Sequence, residues 1–376
     1  MNNTSRNKTS RNKRNSKGLS LVEMMISLAL GSIVTVGVIQ LFVANSESYN
    51  LLQGQSRMQE AARFGLNFIG SAARQAGYAG CFSSLADLYP TIDPAFMPYE
   101  MDMRSGVHGF NAVGANWVPA LTMLPNTDAG NEFPAGGDGV GNGIDITQIV
   151  QGTDVLTLRN MGLEDFRLVA SLPTSTEPIV VAGAIADLGF GEDHLAMIHD
   201  CEKATLFRVT SLAESAGQTT IGHLEGDPDN YTNTTDDLTL INNYEDDAAV
   251  SRIESSIFFI APGSGFNEAG QNPLSLWRKN GVEAPAELIE GVEDLQVLYG
   301  VDTDLDGVPN QYLPANLVTD FNEVETIRVT LVVNSVDDIG GTSTPTHGCV
   351  IQNCISGETF DGLIRRSFTQ TFQLRN

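Results

Sequence analysis

The sequence predicts an α+β fold in which one long N-terminal helix packs on a mostly antiparallel β-sheet domain. Three features indicate this fold. Residues 19–44 form an almost uninterrupted apolar stretch, and residues 45–79 continue it without proline and with apolar residues at three- and four-residue steps. Beyond residue 80 the chain contains several short runs of alternating or β-branched residues, as expected for half-buried strands. The helix therefore comes first and the sheet follows it.

The apolar stretch at residues 19–44 has the length and composition of a membrane span. As a helix it reaches roughly 39 Å, more than the ~30 Å hydrocarbon core of a bilayer. Its one charged residue is Glu23. Residues 1–18 contain six basic residues and no acidic one. Because basic residues are retained on the cytoplasmic side, we expect a single pass with residues 80–376 outside the cytoplasm.

The charge of the chain separates a basic leader from an acidic body. The formal net charge is −25, with 21 basic and 46 acidic residues. Residues 1–18 hold six of the basic residues, which leaves 15 − 46 = −31 for the rest. This charge argues against direct nucleic-acid binding, because such binding depends on basic side chains that neutralise phosphates. Such a body suits a solvated extracytoplasmic domain or one that holds divalent cations.

Four cysteines lie in the part of the chain that is predicted to be exported. In an oxidising compartment an even count indicates two disulfides, and four cysteines allow three pairings. We favour Cys349–Cys354 as a small C-terminal loop, with Cys81–Cys201 joining the end of the helix to the body. Free buried thiols are the alternative. A zinc site is disfavoured because no C-x2-C pair occurs.

The second half of the helix carries a narrow apolar stripe with small residues. The stripe consists of Leu51, Met58, Ala62, Gly65, Ile69, Ala72 and Ala76. We expect it to pack on the globular domain and the helix to end at Gly77–Cys81, where glycine is the usual terminating residue. From Phe82 to Gly143 the chain is rich in Pro, Gly, Asn and Asp and predicts long loops.

The remaining segments predict a mostly antiparallel sheet. In Ile327–Val333, apolar residues at odd positions alternate with Arg328, Thr330 and Val332. Further predicted strands are Gly152–Arg159, Phe166–Ala170, Ile179–Ala182, Leu195–Ile198, Ala204–Thr210, Ile253–Ala261 and Phe368–Leu374.

One acidic segment predicts a calcium-binding loop. Asp302, Asp304 and Asp306 alternate and are followed by glycine, as in the first half of a calcium loop. Val308 would offer its carbonyl and Asn310 its side chain. Leu313 stands where an EF-hand has a bidentate Glu, so the segment is not an EF-hand, although Asp320 or Glu323 could supply a distant oxygen. The alternative is a solvated acidic turn.

No other motif predicts chemistry. The histidines are scattered, and the busiest segment, His199–Glu202, lacks metal-ligand spacing. No G-x-S-x-G motif or phosphate-binding loop occurs. We therefore expect no enzymatic activity and no required cofactor, with Ca²⁺ as the one candidate ion.

The segment from Lys17 to Glu23 resembles the class III leader of type IV prepilins. It has a basic leader, Gly18 before the cut, an apolar first residue and Glu23 as the fifth mature residue. The resemblance implies cleavage between Gly18 and Leu19 by a prepilin peptidase and methylation of Leu19. It also makes Glu23 the assembly residue that meets a neighbour's amino terminus. Leu19 departs from the usual Phe or Met. A secretory signal peptide is disfavoured by the long apolar segment, and a plain anchor would leave Glu23 without a role.

Segments of the body resemble the PilW-like minor pilins of type IV pili. The resemblance implies a pilin-like fold with a leader at 1–18, a membrane and assembly helix at 19–44, an amphipathic helix at 45–79 and a periplasmic domain at 80–376. The similar segments are Ala62–Phe64, Ala72–Gly77, Gly80–Cys81, Gly152–Arg159, Val292–Gly307 and Leu374–Asn376.

The resemblance to PilW-like minor pilins also implies a function. It implies an inner-membrane minor pilin that helps to initiate pilus assembly in a priming complex, enters the filament in low copy and sits at its tip. The implied partners are other minor pilins, the major pilin and the inner-membrane assembly platform, in support of twitching motility, adhesion or DNA uptake. The alternatives are a large pseudopilin of type II secretion and a membrane-anchored calcium-dependent adhesin.

Overall fold

The computed structural model describes residues 20–82, 88–94, 96–124, 143–226, 232–238, 243–281, 283–304, 306–340 and 362–375. The chain divides into two compact units, residues 1–53 and residues 54–376. The predicted α+β class is correct: a long apolar N-terminal helix precedes a mostly antiparallel β domain.

Helix α1 spans Leu21–Ala73, so the two predicted helical segments are one element. It ends earlier than the predicted Gly77, because tertiary backbone hydrogen bonds capture the following residues. The Gly77 amide donates to the Arg159 carbonyl at 2.9 Å, and the Met161 amide donates to the Tyr78 carbonyl at 2.8 Å. Residues 74–77 therefore form turns, and the observed helix is shorter than the predicted segment 45–79.

Sixteen strands lie in the described part of the second unit. In chain order they are β1 (Tyr89–Pro90), β2 (Val107–Val113), β3 (Asn116–Val118), β4 (Val155–Arg167), β5 (Ile179–Ala182), β6 (Leu195–His199), β7 (Ala204–Arg208), β8 (Ser211–Ser215), β9 (Gln218–Gly222), β10 (Ala249–Pro262), β11 (Leu274–Asn280), β12 (Ala286–Glu290), β13 (Val292–Val301), β14 (Gln311–Leu313), β15 (Val324–Asn334) and β16 (Arg365–Gln373). A one-turn helix, α2, spans Ile185–Leu188.

The strands form three sheets, and all pairs except β1–β7 are antiparallel. The largest sheet has nine strands in the order β1-β7-β6-β10-β4-β2-β3, with β11 beside β10 and β12 beside β11. A second sheet has the order β14-β13-β15-β16, and a third has the order β5-β9-β8.

The region from Phe82 to Gly143 differs from its prediction as loops. It contributes β1, β2 and β3 in its described part. The β2 strand pairs with the buried strand β4, through Val107 opposite Leu158 and Phe110 opposite Val155. Pairing with an existing sheet explains why a Gly- and Asn-rich segment is extended here, since strand formation depends on neighbours more than on intrinsic preference.

From Met58 onward the predicted stripe of α1 packs into the main hydrophobic core, whereas its first member, Leu51, is exposed. Met58, Ala62 and Ile69 are fully or almost fully buried there, against β15 residues such as Val329 and Leu331. Small residues allow this close approach: a Cβ added to Gly65 would lie 2.9 Å from Leu331 Cδ1. Since the helix is part of this core, the second unit cannot be complete without residues 54–73.

Candidate functional site

Glu23 lies in the first turn of α1, in a segment of otherwise uncharged residues. The next charged residue along the helix is Glu47. The Glu23 carboxylate accepts a hydrogen bond from the Ser20 amide at 3.0 Å, as an acid in the first turn of a helix commonly does. In the part of the chain that the structure describes, no basic side chain pairs with it. Within the described part of the chain, the backbone amide of Ser20 is therefore the group that stabilises its negative charge.

The apolar side chains around Glu23 are exposed. Leu21, Val22 and Met24 are each more than half exposed, and exposure of this kind continues along the helix to Phe42. This helix has the length and apolarity to cross a membrane. Exposed side chains of this size require a lipid or protein environment, because large contiguous apolar surfaces are unfavourable in water. The predicted cleavage and methylation positions, Gly18 and Leu19, lie outside the described residues.

The three aspartates of the predicted calcium loop converge at the end of β13. One carboxylate oxygen from each of Asp302, Asp304 and Asp306 lies within 4.8 Å of the others. Asp302 is buried and accepts the amide of Gly307 at 2.6 Å. Gly307 has a φ of 84°, which favours glycine and permits the sharp turn. The loop thus clusters the carboxylates that a hard divalent cation prefers.

The other predicted calcium ligands either form hydrogen bonds within their own loops, as Asn310 and Asp320 do, or are exposed, as Val308 is. The Asn310 side-chain oxygen accepts the Thr303 amide at 2.6 Å, and its nitrogen donates to Asp304 at 3.0 Å. Asp320 accepts the Asn322 amide at 2.9 Å and caps a short helical turn. Val308 is exposed. Three carboxylates are brought together, whereas Asn310 takes part in the hydrogen bonds of the loop itself.

The structure contains the expected disulfide between Cys81 and Cys201. The two cysteines are 120 positions apart in the sequence. Cys81 follows the turns after α1, and Cys201 lies between β6 and β7. Cys349 and Cys354 lie outside the described residues, so their pairing stays a prediction.

A buried charged cluster, which composition and spacing did not reveal, lies beside β4 and β11. Glu100, Arg159 and Lys279 are each at most 2% exposed. Burial raises the pKa of Glu100 to about 7, although the Lys279 and Arg159 cations lower it. Arg159 donates to the Tyr99 carbonyl at 2.6 Å. Only the fold assembles these residues, since they are almost 180 positions apart at the extremes.

His199 meets a serine and an aspartate, but the geometry is not that of a catalytic triad. Its Nε2 lies 3.1 Å from Ser251 Oγ, and Ser251 Oγ donates to Asp165 Oδ1 at 2.6 Å. In a triad the carboxylate binds the other imidazole nitrogen and the hydroxyl is directed to the histidine. Here Ser251 is fully buried and its proton goes to the carboxylate. The arrangement joins β4, β6 and β10.

Two family matches agree with these features. Residues 13–39 match the family described as the Prokaryotic N-terminal methylation motif, and residues 258–376 match Type IV Pilus-assembly protein W. No curated protein and no solved structure matches the chain significantly. The second match covers the end of β10 and all of β11–β16, the part of the domain on which α1 packs.

The matches support a structural component of a type IV pilus rather than an enzyme, and they imply pilin partners and a peptidase. They account for the exposed apolar helix with its early glutamate and for the C-terminal sheet. Together, the matches over residues 13–39 and 258–376 support a PilW-like type IV pilin.

Proposed function

We propose that this pilin is a low-copy minor subunit that initiates type IV pilus assembly as part of a priming complex at the filament tip. The observation that carries the proposal is Glu23, an acidic side chain on a helix whose apolar residues are exposed. A carboxylate in hydrocarbon is costly, about 2.5–3.5 kcal/mol at a helix centre and less near an end. A neighbour's amino terminus would relieve that cost.

The exposed apolar helix and its early glutamate also support a set of partners for the proposed complex. Prepilin peptidase would cut between Gly18 and Leu19 at the cytoplasmic side, and the inner-membrane platform would receive the mature helix. Apolar helices of other minor pilins and of the major pilin would pack beside this one. The acidic domain would lie in the periplasm until the complex enters the filament.

Deletion of the gene tests this function. Sheared surface pili and secreted enzymes are measured in the same strain. Loss of pili with normal secretion is the expected result. Loss of secretion with normal pili would instead identify a pseudopilin of type II secretion, and retention of both would remove the assembly role.

Substitution of Glu23 tests the mechanism. Glu23→Ala should leave leader cleavage intact, because the cut precedes Leu19, yet reduce piliation strongly. Ser27→Ala, one turn further along the same helix, is the matched control and should complement the deletion. Full complementation by Glu23→Ala would show that the carboxylate has no part in assembly.

We also infer that the loop of Asp302, Asp304 and Asp306 binds calcium and stabilises the end of β13. Three clustered carboxylates repel one another, and a divalent cation would neutralise that repulsion. The approach of their oxygens to within 4.8 Å supports this proposal. A calcium-dependent adhesin, the alternative with this loop as its centre, would not require Glu23.

A further inference from the structure

Strand β16 is the last strand of its sheet. It pairs with β15 along its whole length, from Thr326 opposite Gln373 to Asn334 opposite Arg365. On its other side it pairs with no strand in the described ranges. Alternate residues of such a strand present unpaired backbone amides and carbonyls. The strand has nine residues without proline or acidic side chains, so little in its sequence blocks pairing with another chain.

Residues of helix α1 and of this last strand line a groove. The groove has a volume of about 560 Å³ and lies between the exposed face of the helix and the side of β16 that carries Phe368, Gln370 and Phe372. Phe372 is buried, whereas Phe64 on the helix is 42% exposed. Asn67 also lines the groove. A fifth strand beside β16 would direct alternate side chains into this groove and cover Phe64.

The groove is cationic in a strongly acidic chain. Arg63 and Arg74 line it, and no acidic residue does. Arg366 lies on the same face of β16, opposite the buried Val333. In the part of the chain that the structure describes, none of these three arginines lies in an ion pair with a carboxylate. With −31 on the mature chain, this local excess of positive charge is a specific feature of the surface.

We propose that β16 and this groove form a docking surface that receives an extended, acidic strand from the globular domain of a neighbouring pilin. Backbone hydrogen bonds along β16 supply the affinity, and the groove selects for alternating acidic and apolar side chains. The positive charges of Arg63, Arg74 and Arg366 favour an acidic partner segment over a neutral or basic one. The inference rests on the proposed assembly function, because it assigns the surface to a contact between pilins.

The test uses the full chain in its native host. A photo-crosslinking amino acid replaces Gln370, and the cross-linked peptide is identified by mass spectrometry. We expect an adduct with an extended acidic segment of another pilin. The double variant Arg63→Glu, Arg74→Glu should lower the yield of this adduct about tenfold, equivalent to about 1.4 kcal/mol.

Two variants separate docking from folding. Arg167→Glu, at an exposed position of β4 in the other large sheet, reverses a charge outside the groove and should keep the full yield. Asn67→Trp fills the groove without changing charge and should lower the yield as the double variant does. Formation of the Cys81–Cys201 disulfide in each variant reports that the domain has folded.

The outcomes distinguish this surface from the proposed function. A pilin adduct that is lost with the groove variants supports the surface even where deletion leaves pili intact. The docking surface is overturned if the double variant shows normal piliation and an undiminished adduct. It is also overturned if the crosslinker at Gln370 gives no adduct, or an adduct only to lipid or to the same chain. In that case a loss of pili on deletion would still support the assembly role.

Discussion

The two halves of α1 show the same secondary structure under opposite packing conditions. Up to residue 53 the helix carries large apolar side chains that are exposed, such as Ile33 at 67%. From Gly54 onward it presents small and medium residues to the core, such as the fully buried Ile69. Helical periodicity alone therefore does not determine what a residue contributes. The contribution depends on whether the protein itself supplies the surrounding atoms.

This difference determines which environment stabilises each half of the helix. The second half gains its stabilisation within the folded chain, because its side chains are removed from water by the sheets. The first half gains none there, so its favourable environment has to come from lipid or from other helices. Lipid and neighbouring helices both accept apolar side chains, so the surface of the first half suits either environment. The following predictions test the contrast in order of expected effect.

The largest contrast is expected between two isoleucine substitutions on α1. Ile69→Ala should lower the free energy of unfolding by about 2–5 kcal/mol, because it leaves a cavity in the core. Ile33→Ala should leave it unchanged. Urea unfolding of the full chain in detergent, followed by the fluorescence of Trp117 and Trp277, measures only the globular domain, where both tryptophans lie. Equal effects of the two variants would contradict the division of the helix.

A second contrast compares a buried carboxylate in the domain with the one on the apolar helix. The raised pKa of Glu100, about 7 against an ordinary 4.5, means that the folded chain holds a proton that the unfolded chain has lost. The free energy of unfolding should therefore fall by about 3 kcal/mol as the pH rises from 4.5 to above 7. Glu100→Gln should remove this fall, whereas Glu23→Gln should retain it.

Unfolding at pH 5 and pH 8 provides the measurement for this pair. Burial lowers the pKa values of His108, His199 and His223, which makes stability rise with pH and opposes the effect of Glu100. Subtracting the pH dependence of each variant from that of the unmodified chain therefore gives the contribution of the substituted carboxylate to the free energy of unfolding. An unchanged pH dependence in Glu100→Gln would show that this group ionises normally in the folded domain.

Two glycines in α1 give a smaller contrast of steric origin. A Cβ at Gly70 would overlap the ring of Phe372, whereas a Cβ at Gly37 would have no atom within 4 Å. Gly70→Ala should destabilise the domain by about 1–2 kcal/mol, since overpacking outweighs the better helix propensity of alanine. Gly37→Ala should not destabilise it. A neutral result for Gly70→Ala would show that Phe372 moves freely.

The smallest expected effect concerns calcium and the acidic loop. At about ten times its Kd, calcium should stabilise the domain by about 1.4 kcal/mol and raise the Tm by a few degrees relative to chelator. The double variant Asp304→Asn, Asp306→Asn should lose this shift, and Asp246→Asn, an exposed control on another loop, should keep it. Absence of a shift at millimolar calcium in the unmodified chain would remove the site.

Local sequence order was enough to predict elements whose residues carry a strong pattern of their own. The alternation in Ile327–Val333 places Ile327, Val329, Leu331 and Val333 in the core, where all four are fully buried. The apolar stretch and the six basic residues before it predict a membrane helix and its orientation. These predictions need only the periodicity of the backbone and the solubility of side chains. The same holds for the spacing of Asp302, Asp304 and Asp306.

Tertiary structure alone decided the features that depend on distant partners. The helix ends at Ala73 because Gly77 and Tyr78 pair with β4. The segment around β2 is extended because a buried strand lies beside it, and only the fold buries Glu100 beside Arg159 and Lys279. Likewise, the cationic groove exists only because the fold places α1 beside β16. Each of these features is set by a neighbour far away in sequence, whose position no local pattern encodes.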